Sequence, residues 1–101
     1  MNFEMIPPGE LDKYVTDPDA LIIDLRTHEE YMERHIKRAI SIPFEQLQGC
    51  CMFPMDMWLI LYCERGGTSL SAAKYLASKG YMVKSVVGGL AAYRGKMIEI
   101  Y

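Results

Sequence analysis

The chain of 101 residues has little of what marks a nucleic-acid-binding or membrane-spanning protein. Lys and Arg number 11 against 13 Asp and Glu, so the formal net charge is −2 and no basic excess attracts nucleic acid or an anionic membrane. The longest apolar run, residues 57–63, is far shorter than the roughly 20 residues that a membrane-spanning helix needs. The first residues lack the cationic and apolar regions of a signal peptide. We therefore expect a cytoplasmic protein with no nucleic-acid or membrane partner.

Cysteine is also sparse, and its pattern excludes two common uses. The chain has three cysteines, the adjacent Cys50 and Cys51 and the isolated Cys63. An odd number in a short chain argues against a disulfide framework, and no Cys-x-x-Cys pair is present for zinc or dithiol chemistry. A reduced protein with one working thiol fits this count. Cys50 and Cys51 could resolve a modified Cys63, but a loop position without redox function is the default interpretation.

The histidines do not form a metal-binding pattern. His28 opens a His-Glu-Glu triplet that resembles the start of a metalloprotease motif, but that motif needs a second histidine four residues later, where Met32 stands. We therefore expect neither a metal site nor another cofactor. His35 is expected to pack and form hydrogen bonds at the end of its helix.

Short apolar runs alternate with helical patterns along the chain. Strands are predicted at residues 3–6, 20–25, 39–42, 57–62 and 83–87. Helices are predicted at residues 9–15, 27–34, 44–48, 69–79 and 90–96. Thr27 and Glu30 have the spacing of a capping box at the start of the second helix. This alternation predicts a single α/β domain with a mainly parallel sheet and helices on both faces.

Residues 63–69, Cys-Glu-Arg-Gly-Gly-Thr-Ser, join the most apolar strand to a clear helix. Ligands of open α/β sheets bind at such junctions, at the carboxyl end of a central strand. A glycine-rich turn into a helix can direct successive backbone N–H groups at one point and stabilise an anion there. A thiol at that point is expected to be partly ionised and nucleophilic. Cys63 is thus the candidate nucleophile, and the candidate substrate-binding residues are Glu64, Arg65, Gly66, Gly67, Thr68 and Ser69.

A cysteine at a strand end is often buried and inert, and that is the alternative interpretation of Cys63. The strand, the paired glycines, the two hydroxyl residues and the helix start together favour the functional interpretation. Asp24 and Arg26 flank the end of another strand, where they could bind substrate. A structural network of Asp24, Arg26 and Glu29 is the favoured interpretation, because charges at such positions tend to be paired.

Four segments resemble the rhodanese family of sulfurtransferases. Residues 63–69 are similar to the family's active-site loop, which begins with cysteine and has glycine fourth. Residues 21–43, LIIDLRTHEEYMERHIKRAISIP, resemble its strand-helix-strand signature. Residues 71–81, SAAKYLASKGY, resemble the helix after the loop, and residues 86–95, VVGGLAAYRG, resemble the closing Gly-Gly-Leu-x-x-Trp motif. Together these segments cover most of the chain.

The resemblance implies a rhodanese-like α/β fold with a five-stranded, mainly parallel sheet. It implies a persulfide carried on Cys63 and held by the backbone of residues 64–69. The chain departs from the family where Arg34 and Arg38 stand in place of common glycines and where Tyr93 replaces tryptophan. Glu64 places a negative charge beside the cysteine, where members that use thiosulfate tend to be cationic.

Three functions fit these features to different degrees. The first is an enzyme that moves sulfane sulfur from a small anionic donor such as thiosulfate, or from a persulfide, to a thiophilic acceptor through Cys63. The second is a cysteine phosphatase on a related scaffold, but Ser69 stands where that loop needs its phosphate-binding arginine. The third is a sulfur relay or binding module that hands a persulfide to an acceptor protein. A local cluster of Met52, Met55 and Met57 with Phe53 and Trp58 could line one wall of the site, but we expect it to cover the sheet edge.

Overall fold

In the computed structural model, which describes residues 3–49 and 52–100, five parallel strands form one sheet. In spatial order these are β1 (Glu4–Ile6), β6 (Met82–Val86), β5 (Trp58–Tyr62), β2 (Ala20–Asp24) and β4 (Ile40–Ser41). The helices are α1 (Leu11–Val15), α2 (His28–Glu33), α3 (Phe44–Leu47) and α4 (Gly67–Ser78), with 3-10 turns at Pro8–Glu10 and Leu90–Ala92. A short antiparallel pair joins β3 (His35–Ile36) to β7 (Ile98–Glu99). The predicted parallel α/β sheet is confirmed.

The central strand β5 explains why its sequence is a continuous apolar run. It pairs in parallel with β2 on one side and β6 on the other. Ile60 and Tyr62 pack on one face of the sheet, while Leu59 and Leu61 pack on the other. A parallel strand covered on both faces has no solvent side, so it shows no alternation of polar and apolar residues.

The helices lie on both faces of the sheet, as predicted. One core contains Leu11 and Tyr14 of α1 together with Leu90 near the carboxyl terminus. The opposite core contains Leu47 of α3 and Leu76 of α4. The sheet is therefore the shared middle layer of the domain. No helix in the described part of the chain is long and apolar enough to cross a membrane.

The predicted helix at residues 90–96 is wrong beyond its first turn. Only Leu90–Ala92 is helical, and Tyr93 takes an extended conformation. The Tyr93 ring is buried, its hydroxyl donates to Asp12 at 2.5 Å, and it accepts a hydrogen bond from the Met97 backbone N–H at 2.9 Å. These contacts direct the chain toward β7. The helical turn therefore stops before Tyr93, the residue that stands in place of the family's tryptophan.

Arg38 marks a turn where the backbone would favour glycine. Its φ angle is 70°, which makes it the one residue other than glycine with positive φ in the described ranges. The resemblance identified this position as one usually held by glycine, and the observed geometry gives the physical reason. Arg34, the other such position, has φ −170°, an extended conformation that any residue adopts.

A buried polar network joins the carboxyl ends of β2 and β5. Asp24 and Tyr62 are direct partners across the two strands, and the Tyr62 hydroxyl donates to Asp24 Oδ2 at 2.6 Å. The same hydroxyl accepts a hydrogen bond from the Ile36 backbone N–H at 3.1 Å, which ties β3 to the sheet. Burial, together with the neighbouring Asp24 carboxylate, raises the pKa of Tyr62 above its ordinary value of 10.0.

We expect Tyr62→Phe to lower the free energy of unfolding by about 1–3 kcal/mol at neutral pH, because Asp24 and the Ile36 N–H lose a buried partner. The stabilisation that accompanies the raised pKa of Tyr62 is fully present below the ordinary tyrosine pKa. It is lost progressively as pH rises above that value. The decline in wild-type stability above pH 10.0 should therefore be steeper than in the variant. Urea unfolding across this range measures both effects. The control is Tyr75→Phe, which changes a partly buried ring on the opposite face; an equal loss in the control would contradict the assignment.

Candidate active site

Cys63 lies immediately after β5, at the floor of the loop that leads into α4. The residue is 5% exposed, and two backbone N–H groups donate to its Sγ, from Gly66 at 3.0 Å and from Ser69 at 3.3 Å. Gly66 has φ 102°, a left-handed conformation that turns the loop back over the sulfur. The amides and the start of α4 thus converge on Sγ and form a site that stabilises negative charge.

The carboxyl-terminal turn holds the opposite side of the loop. The backbone N–H of Leu90 donates to the Cys63 carbonyl, and that of Ala91 donates to the Glu64 carbonyl, both at 2.9 Å. A Cβ built on Gly89 would lie 2.4 Å from the Cys63 carbonyl oxygen, so only glycine permits this approach. The carbonyl groups of Cys63 and Glu64 are thus bonded to this turn. The backbone N–H groups that follow in the loop can then face the sulfur. Residues 86–95, which resemble the family's closing motif, therefore support the site through backbone contacts.

The hydroxyl of Ser69 is used inside the fold. It donates to the Gly66 carbonyl at 3.1 Å and lies 3.0 Å from the Ser85 hydroxyl on β6. Ser69 therefore reaches the sulfur through its backbone N–H, while its side chain braces the loop against the sheet. Thr68, by contrast, is exposed and lines the space in front of Cys63.

A cleft of about 190 Å³ opens in front of Cys63. Its lining residues are Leu25, Arg26, Thr27, Glu30, Phe44, Glu45, Cys63, Glu64 and Thr68. Of the two charged loop residues singled out from the sequence, Glu64 borders this cleft, whereas Arg65 is exposed outside its lining. Glu30 and Glu45 add two more carboxylates that the loop motif alone did not indicate, because they lie in other segments of the chain.

Arg26 is a buried member of the polar network and also reaches the loop. Its Nη2 lies 2.9 Å from Asp24 Oδ2, and its Nη1 lies 3.3 Å from Glu64 Oε1. Nη2 also donates to the backbone carbonyl oxygens of Glu30 and Arg34. Burial opposes its charged form, but the hydrogen bond and charge of Asp24 outweigh this and raise the pKa of Arg26. The predicted ion pair is present, and within the described residues its third member is Glu64 rather than Glu29.

The histidines take structural positions. His35 is buried, stacks on Tyr31 with ring centroids 3.8 Å apart, and places Nδ1 2.8 Å from the Tyr31 carbonyl oxygen. His28 lies with Nδ1 3.2 Å from the Ser41 hydroxyl. Residues 3–49 and 52–100 contain no group of three or more His, Cys, Asp or Glu that could hold a metal ion.

The methionine-rich segment lies away from the cleft lining. Met52 and Met55 are exposed, whereas Phe53 is buried and packs edge-on against Tyr81. The Phe53 backbone N–H donates to the Tyr81 hydroxyl at 3.2 Å. This segment therefore covers the core formed by α3 and α4. Cys50 and Cys51, the other sequence candidates here, lie outside the described residues.

The sequence profile of the rhodanese-like domain family matches residues 7–96. The chain belongs to this family. A tRNA sulfurtransferase of Desulfurococcus amylolyticus is 38% identical over 88 residues, which cover 86% of this chain and 18% of that protein. A tRNA uridine(34) hydroxylase of Hamiltonella defensa is 34% identical over 92 residues, which cover 83% of this chain and 26% of that protein. The chain thus spans between about a fifth and a quarter of the length of these curated relatives.

Solved structures give the same assignment for the fold. A rhodanese-like domain protein from Staphylococcus aureus superposes with a TM-score of 0.85 at 26% identity, covering 98% of this chain and 99% of that chain. Reduced CoADR-RHD from Bacillus anthracis gives a TM-score of 0.83 at 32% identity, covering 90% of this chain and 16% of that chain. The rhodanese-like fold predicted from the sequence is therefore confirmed, and the family is one related to sulfur transfer.

We expect Gly89→Ala to weaken both stability and the reactivity of Cys63. The new methyl group would overlap the backbone of Cys63 and Glu64. Gly89 has φ 63° and ψ −160°, a conformation that only glycine adopts readily and that costs other residues about 1–3 kcal/mol before any clash. Urea unfolding and the rate of Cys63 alkylation, followed by peptide mapping, measure the two losses. Gly9→Ala is the matched control, because its Cβ would meet nothing within 4 Å. Unchanged alkylation in the folded Gly89→Ala variant would show that the turn does not hold the loop.

Proposed function

We propose that this chain is a sulfurtransferase in which Cys63 carries a sulfane sulfur as a persulfide. The observation that carries the proposal is the pair of backbone N–H groups directed at Sγ from Gly66 and Ser69, at the floor of a cleft. Such donors stabilise a thiolate before the reaction and a persulfide anion after it. Family membership and a relative named as a sulfurtransferase support the same chemistry.

The proposed cycle is a double displacement. The Cys63 thiolate attacks the sulfane sulfur of a donor, the donor's sulfur–sulfur bond breaks, and the leaving group departs with the electron pair, as sulfite from thiosulfate or as a thiolate from a persulfide. An acceptor thiolate then attacks the outer sulfur of the Cys63 persulfide, and Cys63 departs as a thiolate. One sulfur–sulfur bond forms and one breaks in each step, so the cycle needs no outside oxidant, reductant or cofactor.

The described site supports sulfur transfer better than phosphate transfer. Ser69 occupies the loop position where a cysteine phosphatase has its arginine, and its side chain is buried against Gly66 and Ser85. Arg26 is the cation in the described lining of the cleft, and it is paired with Asp24 and Glu64. A phosphate dianion would therefore meet no unpaired cation there.

A sulfur relay that serves an acceptor protein is the second proposal, and the cleft favours it over rapid use of thiosulfate. Glu64 borders the cleft, whereas Arg65 lies outside its lining, so a dianionic donor meets a carboxylate first. The names of two relatives include tRNA. Direct contact between a tRNA and this cleft is disfavoured, because the cleft carboxylates would repel the phosphate groups. Steady-state thiosulfate:cyanide turnover, compared with a single round of persulfide transfer, separates the enzyme from the relay.

Incubation with a sulfur donor should add the mass of one sulfur atom to the peptide that contains Cys63. The added sulfur should disappear on treatment with cyanide, which accepts sulfane sulfur. Cys63→Ser should abolish both loading and transfer, since a hydroxyl cannot form the persulfide. Intact-protein and peptide mass spectrometry check this result. Sulfur transfer by Cys63→Ser at the wild-type rate would contradict the mechanism.

With thiosulfate as donor we expect weak turnover and a high KM, which Glu64→Gln should lower. A partly exposed charge of this kind contributes on the order of 1 kcal/mol or less, so KM should fall by up to about fivefold. Arg65→Ala should raise KM by a smaller factor, because Arg65 is exposed outside the cleft lining. Initial rates over a range of thiosulfate concentrations provide the measurement. An unchanged kcat/KM in Glu64→Gln, together with an improved value in Arg65→Ala, would contradict this account.

A further inference from the structure

Resting on the proposed function, we propose that the acceptor which takes sulfur from Cys63 is a thiol that carries a positive charge close to its sulfur. The inference comes from the charges that surround the cleft in front of the nucleophile. Glu30, Glu45 and Glu64 line it, and Arg26 is the cation among the described lining residues. An acceptor must pass these groups to reach Cys63.

The charge of Arg26 is not available to an incoming anion. Its side chain is 5% exposed and lies 2.9 Å from the fully buried carboxylate of Asp24. Its remaining contacts are to Glu64 and to two backbone carbonyl oxygens, all of which are acceptors of its N–H groups. Arg26 therefore compensates Asp24 behind the cleft, and the wall that faces the solvent keeps an excess of negative charge.

Two of the three carboxylates are held in place before any acceptor arrives. Glu64 Oε1 lies 3.3 Å from Arg26 Nη1. Glu30 Oε1 accepts hydrogen bonds from the backbone N–H and the hydroxyl of Thr27, both at 3.1 Å, in the capping box of α2. Carboxylates that are already oriented lose little side-chain freedom when a cation binds between them. Binding a positive group in the cleft therefore costs less side-chain entropy than binding between freely rotating carboxylates would.

The transfer step itself favours such an acceptor. The loaded cysteine is a persulfide anion, so an anionic thiol must approach both that anion and the three carboxylates. An ammonium or guanidinium group beside the acceptor thiol is attracted by the carboxylates and also favours the thiolate form. That thiolate attacks the outer sulfur, the sulfur–sulfur bond to Cys63 breaks, and the electron pair leaves with the Cys63 thiolate. The product is a persulfide on the acceptor, and no proton or electron is left unbalanced.

The test compares three two-carbon thiols that differ only in their terminal group. Cysteamine is cationic, 2-mercaptoethanol is neutral and 2-mercaptoethanesulfonate is anionic. The protein is first loaded with inorganic polysulfide, the excess is removed, and loss of the added sulfur is followed by mass spectrometry under single-turnover conditions. At low salt we expect the rate constant per thiolate to be at least about tenfold higher for cysteamine than for the sulfonate, since three nearby carboxylates each contribute up to about fivefold. High salt should bring the ratio toward one.

Matched variants assign the preference to the cleft. Glu45→Gln combined with Glu64→Gln should lower the cysteamine-to-sulfonate ratio by about fivefold or more, measured after the variant has been loaded to the same extent as the wild type. Glu33→Gln removes the same charge from an exposed position in α2 outside the cleft lining and should leave the ratio unchanged. Glu30 is kept, because its loss would also open the capping box. An equal effect of Glu33→Gln would overturn the assignment to the cleft.

A pair of peptides distinguishes the source of the acceptor. Lys-Cys-Lys and Glu-Cys-Glu are compared in the same assay. The logarithm of each ratio is divided by the difference in net charge between the two reagents compared. A larger value per charge for the peptides than for the small thiols supports a basic protein segment as the acceptor, and a value no larger supports a small aminothiol. Failure of the protein to load would contradict the proposed function. Normal loading followed by transfer with no preference for positive charge, in small thiols and peptides alike, would overturn this inference alone.

Discussion

The contact between Asp24 and Tyr62 is the constraint on which the rest of the site depends. It joins the carboxyl ends of two neighbouring parallel strands, and through Tyr62 it also holds the backbone of Ile36. Asp24 in turn orients Arg26, which extends to Glu64 in the nucleophile loop. A fully buried carboxylate is stable only when it is paired and hydrogen-bonded. That requirement holds β2, β5, β3 and the loop together. The groups that satisfy the buried carboxylate in the core therefore also position the cleft.

Backbone rather than side-chain atoms form the surroundings of the sulfur. The amides of Gly66 and Ser69 face Sγ because the first loop carbonyls are bonded to the turn that begins at Gly89. The Ser69 side chain reinforces this arrangement from within the sheet, through Ser85. Fixed N–H dipoles do not titrate and need not reorganise when a charge develops, which suits the proposed alternation of a thiolate and a persulfide anion at Cys63. In the proposed function, the selection of the substrate falls to the side chains of the cleft wall.

The fold was largely predictable, because buried parallel strands and capped helices have strong local patterns. The continuous apolar run predicted β5, and the capping-box spacing of Thr27 and Glu30 predicted the start of α2. The pair β3 and β7 was not predicted, since two residues are too few to show a period. The predicted helix after Leu90 failed because Tyr93 bonds to Asp12, a contact between distant parts of the chain. At the site, the loop was identifiable from residues 63–69, but its partnership with Arg26 and the cleft carboxylates depends on the tertiary structure.

The depth of Cys63 also determines which of two sulfur atoms an acceptor can reach. Sγ is covered by the loop amides, and the residue is 5% exposed. In the proposed persulfide a second sulfur would extend from Sγ into the cleft, so only that atom would present an open trajectory along the sulfur–sulfur axis. Attack on the inner atom would release hydrosulfide and leave the acceptor disulfide-bonded to the protein. In the proposed reaction, burial of Sγ would therefore direct the acceptor to the outer sulfur and would prevent the domain from being trapped as a mixed disulfide with its acceptor.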